Sequence, residues 1–196
     1  EDFAGMFRYS KLIEDINNAD TSILSNITTV KMYKYFTPTL NSGIKYTLSY
    51  NNALYNPHSG HNSSGGGVIS SSGFKVNNDS SLNEHFLDDD GAGNLRLYYL
   101  SGTTRVYTDT TYGTVNYTTG EVVLTSAHIT SISNVDGATS TQVRVFATPS
   151  SNDVVPVRNQ VLSIDTSNST ITGEVDGIES GSSQAGTTYT TTSSYS

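Results

Sequence analysis

Short runs of alternating β-branched and aromatic residues, separated by turn-forming residues, recur along this chain from residue 44 onward. The candidate strands are 44–50, 68–76, 95–100, 103–108, 112–117, 121–125, 142–148, 154–164 and 169–175. Stretches rich in Gly, Asn, Asp and Pro lie between them. Short strands at regular spacing indicate an antiparallel β-sandwich-like or barrel-like domain.

The N-terminal residues follow a helical period instead. Asp2 is a candidate cap at the start of this segment, and Asn17–Asn18 is a candidate stop. The apolar residues that share one stripe of a 3.6-residue period are Met6, Tyr9, Leu12, Ile13 and Ile16. This spacing predicts an amphipathic helix.

Residues 27–36 alternate as a strand that has apolar side chains on both faces. One face carries Val30, Met32 and Phe36, and the other carries Ile27, Tyr33 and Tyr35. Apolar groups on both faces predict partial cover on each side. Because a helix and one strand cannot bury their own apolar surface, we expect other chains to complete this piece. These six side chains are therefore the predicted intersubunit or interdomain interface.

The predicted fold class is α+β and mostly β. We expect residues 1–43 to be the C-terminal half of a small α+β domain, and 44–177 to be the β-rich domain. Residues 178–196 are almost entirely Ser, Thr, Gly and Tyr, which predicts an extended or disordered tail. Tyr189 and Tyr195 are the side chains of this tail that we expect to contact a neighbour.

Composition excludes several functional classes. The net charge of −8 argues against a nucleic-acid binder, which needs a basic face. The sequence has no apolar run long enough to span a membrane and no signal-peptide pattern at Glu1–Gly5. The opening reads instead as the interior of a longer chain. The absence of Cys excludes disulfides and thiol chemistry and suits assembly in a reducing cytoplasm.

The chain holds few candidates for chemistry. His58 and His61 lie three residues apart in a Gly/Ser loop, where a polar loop is favoured over a metal site. The run Asp88–Asp90, followed by Asn94, offers hard oxygens, but it lacks the Glu that closes an EF-hand. A solvated hairpin or loop tip is the favoured interpretation, and a weakly bound cation remains the alternative. We predict no cofactor, no small-molecule substrate and no catalysis.

Two stretches resemble a known family. Residues 7–23 and 27–32 combine a Ser-Lys-containing helix, an Ala-Asp-x-Ser turn and a strand, and residues 113–124 form a Gly-x-Val-x-Tyr hairpin pattern. Both are similar to the C-terminal part of the T4-type phage baseplate wedge protein family (gene product six, baseplate J-like). The resemblance implies a structural virion protein that is assembled in the host bacterial cytoplasm. It also implies homodimers within a six-fold baseplate, other wedge and hub proteins as partners, and a rearrangement that triggers sheath contraction.

Two alternatives remain open. The 13 Tyr residues are compatible with an adhesin or a carbohydrate-binding β module, since Tyr offers both a stacking face and a hydroxyl. A glycan-degrading fragment of a phage tail would need two carboxylates that face each other across a cleft, for which Glu84, Asp88 and Asp90 are the candidates.

Overall fold

The computed structural model describes residues 5–62, 66–135, 137–156 and 162–174. They are mostly antiparallel β-structure with one α-helix near the N-terminus, which confirms the predicted fold class. Two compact units divide the chain, Glu1–Leu162 and Ser163–Ser196. No helix among the described residues is long and apolar enough to cross a membrane.

The first unit contains helix α1, Tyr9–Asn17, and all the strands of the described residues. The strands are β1 (Met32–Phe36), β2 (Gly43–Ser49), β3 (Ile69–Ser71), β4 (Phe74–Val76), β5 (His85–Asp89), β6 (Asn94–Ser101), β7 (Thr104–Asn116), β8 (Glu121–Ile132) and β9 (Val143–Ala147). In the second unit, Asp165 accepts hydrogen bonds from the backbone N–H groups of a 3₁₀ turn, Thr166–Asn168.

Six strands form one sheet in the order β2-β8-β4-β5-β6-β7. Because β7 also pairs with β8, strands β8, β4, β5, β6 and β7 close into a small barrel, and β2 lies outside on β8. Fully buried apolar side chains from several strands form the core, among them Phe74, Leu87, Leu124 and Ile129. The predicted β-rich domain is thus a closed barrel in this part.

The other three strands form a separate antiparallel sheet in the order β1-β9-β3. Met32 lies opposite Ala147, and Phe36 lies opposite Val143. Met32 and Phe36 pack against the hydrophobic core. The predicted boundary between residues 43 and 44 therefore falls between β1 and its hydrogen-bonded neighbour β9; the domain boundaries themselves stay a prediction.

Strands β7 and β8 are longer than the sequence predicted because each contains an irregularity. On β8, Ala127 pairs with Ile44 of β2, whereas Leu124 pairs with Tyr46 of β2. The register therefore shifts between these two pairs. The shift returns Ala127 and Ile129 to the interior after two exposed residues, and it adds the bend that barrel closure needs. The prediction of a strand that ends at residue 125 was wrong for this reason.

Other differences concern where strands exist. The stretch 68–76 divides into β3 and β4, and the single strand β7 replaces the candidates 103–108 and 112–117. Strand β5 was absent from the prediction. In the described parts of 154–164 and 169–175 there is no strand; Val154 makes only an isolated bridge to Phe7.

The predicted hairpin is present, because β5 and β6 pair on either side of residues 90–93, but Asp88 and Asp89 are not part of its solvated tip: they belong to β5 and are 1% and 0% exposed. Asp88 lies directly opposite Arg96 on β6. Its carboxylate accepts from Arg96 Nε at 2.8 Å, from Arg105 Nη1 at 2.6 Å and from the Tyr107 hydroxyl at 2.8 Å. The two arginines compensate the buried charge of Asp88, so this carboxylate interacts with protein donors and not with solvent.

The Asp89 carboxylate, on the opposite side of β5, is satisfied by neutral donors. Its carboxylate accepts from the Asn62 side chain at 2.9 Å, the Ile69 backbone N–H at 2.8 Å and the Tyr117 hydroxyl at 2.6 Å. Burial, and then the neighbouring Asp89 carboxylate, raise the pKa of Tyr117, so its phenol stays a donor. Asp89 thereby ties the barrel to β3 and to the 56–62 loop.

Removing Arg96 should be far more costly than removing an exposed cation. We expect Arg96→Met to lower the free energy of unfolding by roughly 3 kcal/mol, because it leaves part of a buried charge network uncompensated. Lys45→Met, at an exposed position of β2, is the matched control and should change it by less than about 0.5 kcal/mol. Urea unfolding measures both, and equal effects of the two variants would contradict the structural role of Arg96.

Buried tyrosines should make the fold sensitive to alkaline pH. Burial raises the pKa of Tyr112 to about 12. Above the unfolded value of about 10, the unfolded chain loses this proton first, so stability falls as pH rises. The Tyr112 contribution to this loss is roughly 1 kcal/mol at pH 11.

The variant Tyr112→Phe removes this contribution at little other cost, because no described residue meets full hydrogen-bond geometry with the hydroxyl, and the His128 backbone only offsets part of the rise in its pKa. Urea unfolding at pH 8 and pH 11 should show a smaller alkaline loss in the variant than in the unmodified chain. The same loss in both proteins would show that the phenol ionises alike in the folded and unfolded states.

Candidate functional site

The exposed half of the predicted interface consists of two outward-facing tyrosines of β1 and of Ile27, which precedes the strand. Ile27 is 101% exposed, Tyr35 is 57% exposed and Tyr33 is 36% exposed. Val30, Met32 and Phe36 alternate with them and are half-buried. The structure therefore separates the predicted residues: Met32 and Phe36 pack against the chain's own core, whereas Ile27, Tyr33 and Tyr35 are exposed.

Strand β9 extends this outward face. The Phe146 ring lies 5.8 Å from the Tyr33 ring, and Arg144 is opposite Tyr35 in the register. The sequence predicted the strand at 142–148 but gave no sign of its partner, because strand pairing over this separation leaves no local pattern. We call Tyr33, Tyr35 and Phe146 the outer aromatic face.

Helix α1 also leaves apolar surface uncovered. It has no buried residue, and Met6, just before it, is 42% exposed. Leu12, Ile13 and Ile16 are half-buried, as expected for an amphipathic stripe with incomplete cover. The helix ends at Asn17, with Asn18 as its C-cap, as the sequence predicted.

Specific polar contacts hold α1 in place even though its apolar stripe is not buried. The Asp153 carboxylate accepts from the Tyr9 backbone N–H at 2.8 Å, at the N-terminal end of the helix. Phe7 and Val154 exchange two backbone hydrogen bonds, and the Tyr9 hydroxyl donates to the Thr28 carbonyl at 2.8 Å. Asp153 thus supplies the carboxylate that Arg8, the N-cap residue, does not. The predicted cap, Asp2, lies outside the described residues.

The solvent side of α1 carries a small charge cluster. Lys11 lies 2.9 Å from Asp15 and 3.3 Å from Glu14, and all three side chains are more than half exposed. Hydrogen bonds to Asp15 and Glu14 raise the pKa of the Lys11 ammonium. Exposed pairs of this kind contribute little to stability.

The predicted tail contacts, Tyr189 and Tyr195, lie outside the described residues. The candidate histidines His58 and His61 stack edge to face with ring centroids 5.3 Å apart, and Tyr55 packs in the same way on His61. Among the described residues, no group of three or more His, Asp or Glu side chains is placed to hold a metal ion. The Asp88 carboxylate that the cation hypothesis needed is instead occupied by two arginines.

Comparison with known proteins connects the N-terminal segment to a family. Residues 1–35 match the family model described as baseplate structural protein gp6, C-terminal domain III. The match covers α1, the segment that follows it and β1 as far as Tyr35. It supports a structural role in a phage baseplate.

The same match supports a location in the phage virion tail and interaction with other baseplate proteins. Structural baseplate proteins are usually non-enzymatic. No curated protein and no solved structure matches this chain. The matched segment includes helix α1, which has no buried residue.

Removing the Asp153 carboxylate should loosen α1 alone. We expect Asp153→Ala to lower the free energy of local opening of α1 by roughly 1 kcal/mol, as the loss of a helix cap does. Amide hydrogen exchange at Leu12 and Ile13 measures this change. Glu174→Ala, at an exposed carboxylate of the second unit, is the charge-matched control and should leave these rates unchanged. Equal protection of α1 in the two variants would show that Asp153 does not hold the helix.

Proposed function

We propose that this chain is a structural component of a contractile-tail baseplate wedge. In this proposal it forms homodimers, and the dimers join other wedge and hub proteins in a ring around the tail hub of a six-fold baseplate. The ring takes part in the rearrangement that triggers sheath contraction. The chain is assembled in the host bacterial cytoplasm, has no catalytic role and contacts neither nucleic acid nor membrane.

One observation carries the proposal: the family-matched segment has uncovered apolar surface in the described structure. No residue of α1 is buried, Leu24 is 76% exposed and Ile27 is 101% exposed. Covering one large aliphatic side chain contributes about 1.5–3 kcal/mol, so leaving several uncovered favours association. A subunit that meets its neighbours through this segment accounts for both the exposure and the family match.

The proposed contact surface is the outer aromatic face together with Leu24 and Ile27, which precede β1. Met32 and Phe36 pack against the chain's own core, so they are not part of the proposed contact surface. Tyr and Phe are enriched at interfaces because they supply a large apolar area together with, in Tyr, a polar group. Tyr189 and Tyr195 of the tail remain part of the proposal as further contacts.

A carbohydrate-binding module is the second candidate, and the same exposed tyrosines support it. Tyr33 and Tyr35 lie on one face of β1, where their rings could stack on sugars. The candidates differ in their binding partner. Saturable binding on a glycan array, lost in Tyr35→Ala, would favour the module, whereas incorporation into tails favours the structural role.

We expect a charge at Ile27 to block baseplate assembly without unfolding the chain. A carboxylate at the centre of an apolar contact would be buried unpaired, while Ile27 is fully exposed in the isolated chain. In the phage that encodes this protein, Ile27→Asp should therefore reduce the number of complete tails seen by electron microscopy by more than about tenfold, as burial of an unpaired charge implies.

Leu100→Asp is the control, because Leu100 is also an exposed apolar strand residue, at 48%, but lies on β6 outside the proposed surface. It should leave tail numbers unchanged, and both variants should unfold at the same temperature as the unmodified chain. The proposal fails if purified tails lack this chain, or if Ile27→Asp and Tyr35→Asp both assemble normally.

A further inference from the structure

Strand β2 lies at an edge of the six-stranded sheet. It pairs with β8 on one side, and no strand among the described residues pairs with its other side. Gly43, Lys45 and Thr47 are exposed along the strand. A sheet edge of this kind presents a row of backbone donors and acceptors, which is a template for a further strand.

The register shows which backbone groups of β2 point outward. The N–H of Tyr50, just after β2, donates to the Gly120 carbonyl at 2.8 Å and therefore points toward β8. The same register continues along the strand, so every second residue counted back from Tyr50 also bonds to β8. The residues between them, Lys45, Thr47 and Ser49, direct their N–H and C=O groups away from β8.

The edge strand β3 of the other sheet shows how this chain covers an edge. Its Ile69 N–H donates at 2.8 Å to the carboxylate of Asp89, which lies outside that sheet. On β2 the cover is slight, because only the Ser49 carbonyl accepts a side-chain hydrogen bond, from Asn51 at 3.3 Å. A carbonyl has two lone pairs, so this contact leaves one acceptor site. Among the described residues, the outer side of β2 thus keeps donors and acceptors that match those of another strand.

Lys45 and Glu121 place opposite charges on one face of this edge. Lys45 is exposed, and the stretch of β8 that passes it, Thr125–Ser126, is uncharged. Glu121, the first residue of β8, is exposed and lies opposite Ser49. Neither Lys45 nor Glu121 belongs to an ion pair among the described residues. A lysine on an edge strand discourages pairing with most strands, so a partner that offers a carboxylate at this position is favoured.

We propose that the β2 edges of two copies of this chain pair antiparallel about a two-fold axis at Thr47. Thr47 then lies opposite Thr47 of the second copy, and Lys45 lies opposite Ser49 of the second copy. Because Ser49 neighbours Glu121 in its own sheet, Lys45 meets the second copy's Glu121 across a small serine. The Cβ atoms of this pair are ~10 Å apart, a separation that the two long side chains span together. The two-fold axis repeats the pair, so the charges of both copies are compensated.

A shift of the axis loses this match. With the axis at Tyr46, Lys45 lies opposite Thr47 of the second copy, whose neighbour on β8 is the uncharged Val123. Charge complementarity therefore selects both a second copy as the occupant and one register. A single strand pair covers little surface, so we expect a weak, concentration-dependent dimer.

This dimer deepens the proposed function, on which it rests for the homodimer, because it names the surface through which two copies meet. It leaves the outer aromatic face for contacts with other baseplate proteins.

Sedimentation of the full chain over a range of concentrations tests the charge match. Lys45→Glu and Glu121→Lys should each raise the dimer dissociation constant about tenfold, because each brings like charges together twice in the dimer. The double variant should restore the unmodified constant, since the pairs form again with exchanged signs. Glu174→Lys, at an exposed carboxylate of the second unit, changes the net charge as Glu121→Lys does and should leave the constant unchanged.

Cysteine cross-linking tests the register, and the chain has no natural cysteine that could interfere. In the proposed dimer the two Thr47 Cα atoms lie about 5.5 Å apart, within disulfide range, whereas the two Ser49 Cα atoms lie about 14 Å apart. Thr47→Cys should therefore form a disulfide-linked dimer on mild oxidation, and Ser49→Cys should not. If Glu121→Lys lowers the melting temperature, this pair of variants decides alone.

Three results would each overturn the proposal: a chain that stays monomeric at every concentration, a double variant that dimerises no better than the single variants, or equal cross-linking at positions 47 and 49. Any of them, found while purified tails contain the chain, removes the β2 dimer and keeps the proposed function. A β2-dependent dimer of a chain that is absent from tails does the reverse. If the chain is monomeric but Thr47→Pro, which lacks the central N–H, is lost from tails, the edge takes a strand of another protein and the second copy is the wrong occupant.

Discussion

The barrel depends on two carboxylates that it buries completely. Taking a carboxylate out of water costs several kcal/mol, and β5 does this twice in succession, at Asp88 and Asp89. The cost is offset because every contact is charge-assisted or comes from a fixed backbone donor. Since Asp88 lies opposite Arg96, a slip of one residue between β5 and β6 would point Arg96 to the other face. The network therefore fixes the register of the pair as well as its position.

Aromatic rings that pack on the two arginines further stabilise this buried network. The guanidinium of Arg96 lies 4.4 Å from the centre of the Tyr107 ring, and that of Arg105 lies 4.6 Å from the centre of the Tyr98 ring. Each arginine thus meets a carboxylate at its edge and a ring on its face, which suits a planar, weakly hydrated cation better than an ammonium. Tyr98 and Tyr107 therefore contribute to the buried charge network of the barrel.

Local patterns predicted the parts of the fold that obey a single period. The helix end at Asn17 and the strands at 44–50 and 142–148 follow unbroken alternation or helical spacing, and the structure has them within a residue or so. The sequence failed where alternation is interrupted, as at Thr125 and Ser126, where two consecutive exposed residues mask a continuing strand. It also failed at β5, because Asp is rare in strands and the sequence near Asp88 does not indicate that Arg105 is its partner. Long-range compensation of this kind has no signature in a short window of sequence.

The same limit applies to the candidate interaction surface. Alternation correctly assigned Tyr33 and Tyr35 to one face of β1 and Met32 and Phe36 to the other, but it could not tell which face the chain itself covers. The answer comes from contacts that are not local: β1 pairs with β9, more than 100 residues later, and the Phe36 ring lies 4.5 Å from the ring of Tyr46 on β2. In the proposed assembly, a strand anchored to its own core on one side presents a fixed apolar face to the neighbouring subunit. A fixed face loses less conformational entropy on association than a flexible one, which favours the proposed contact.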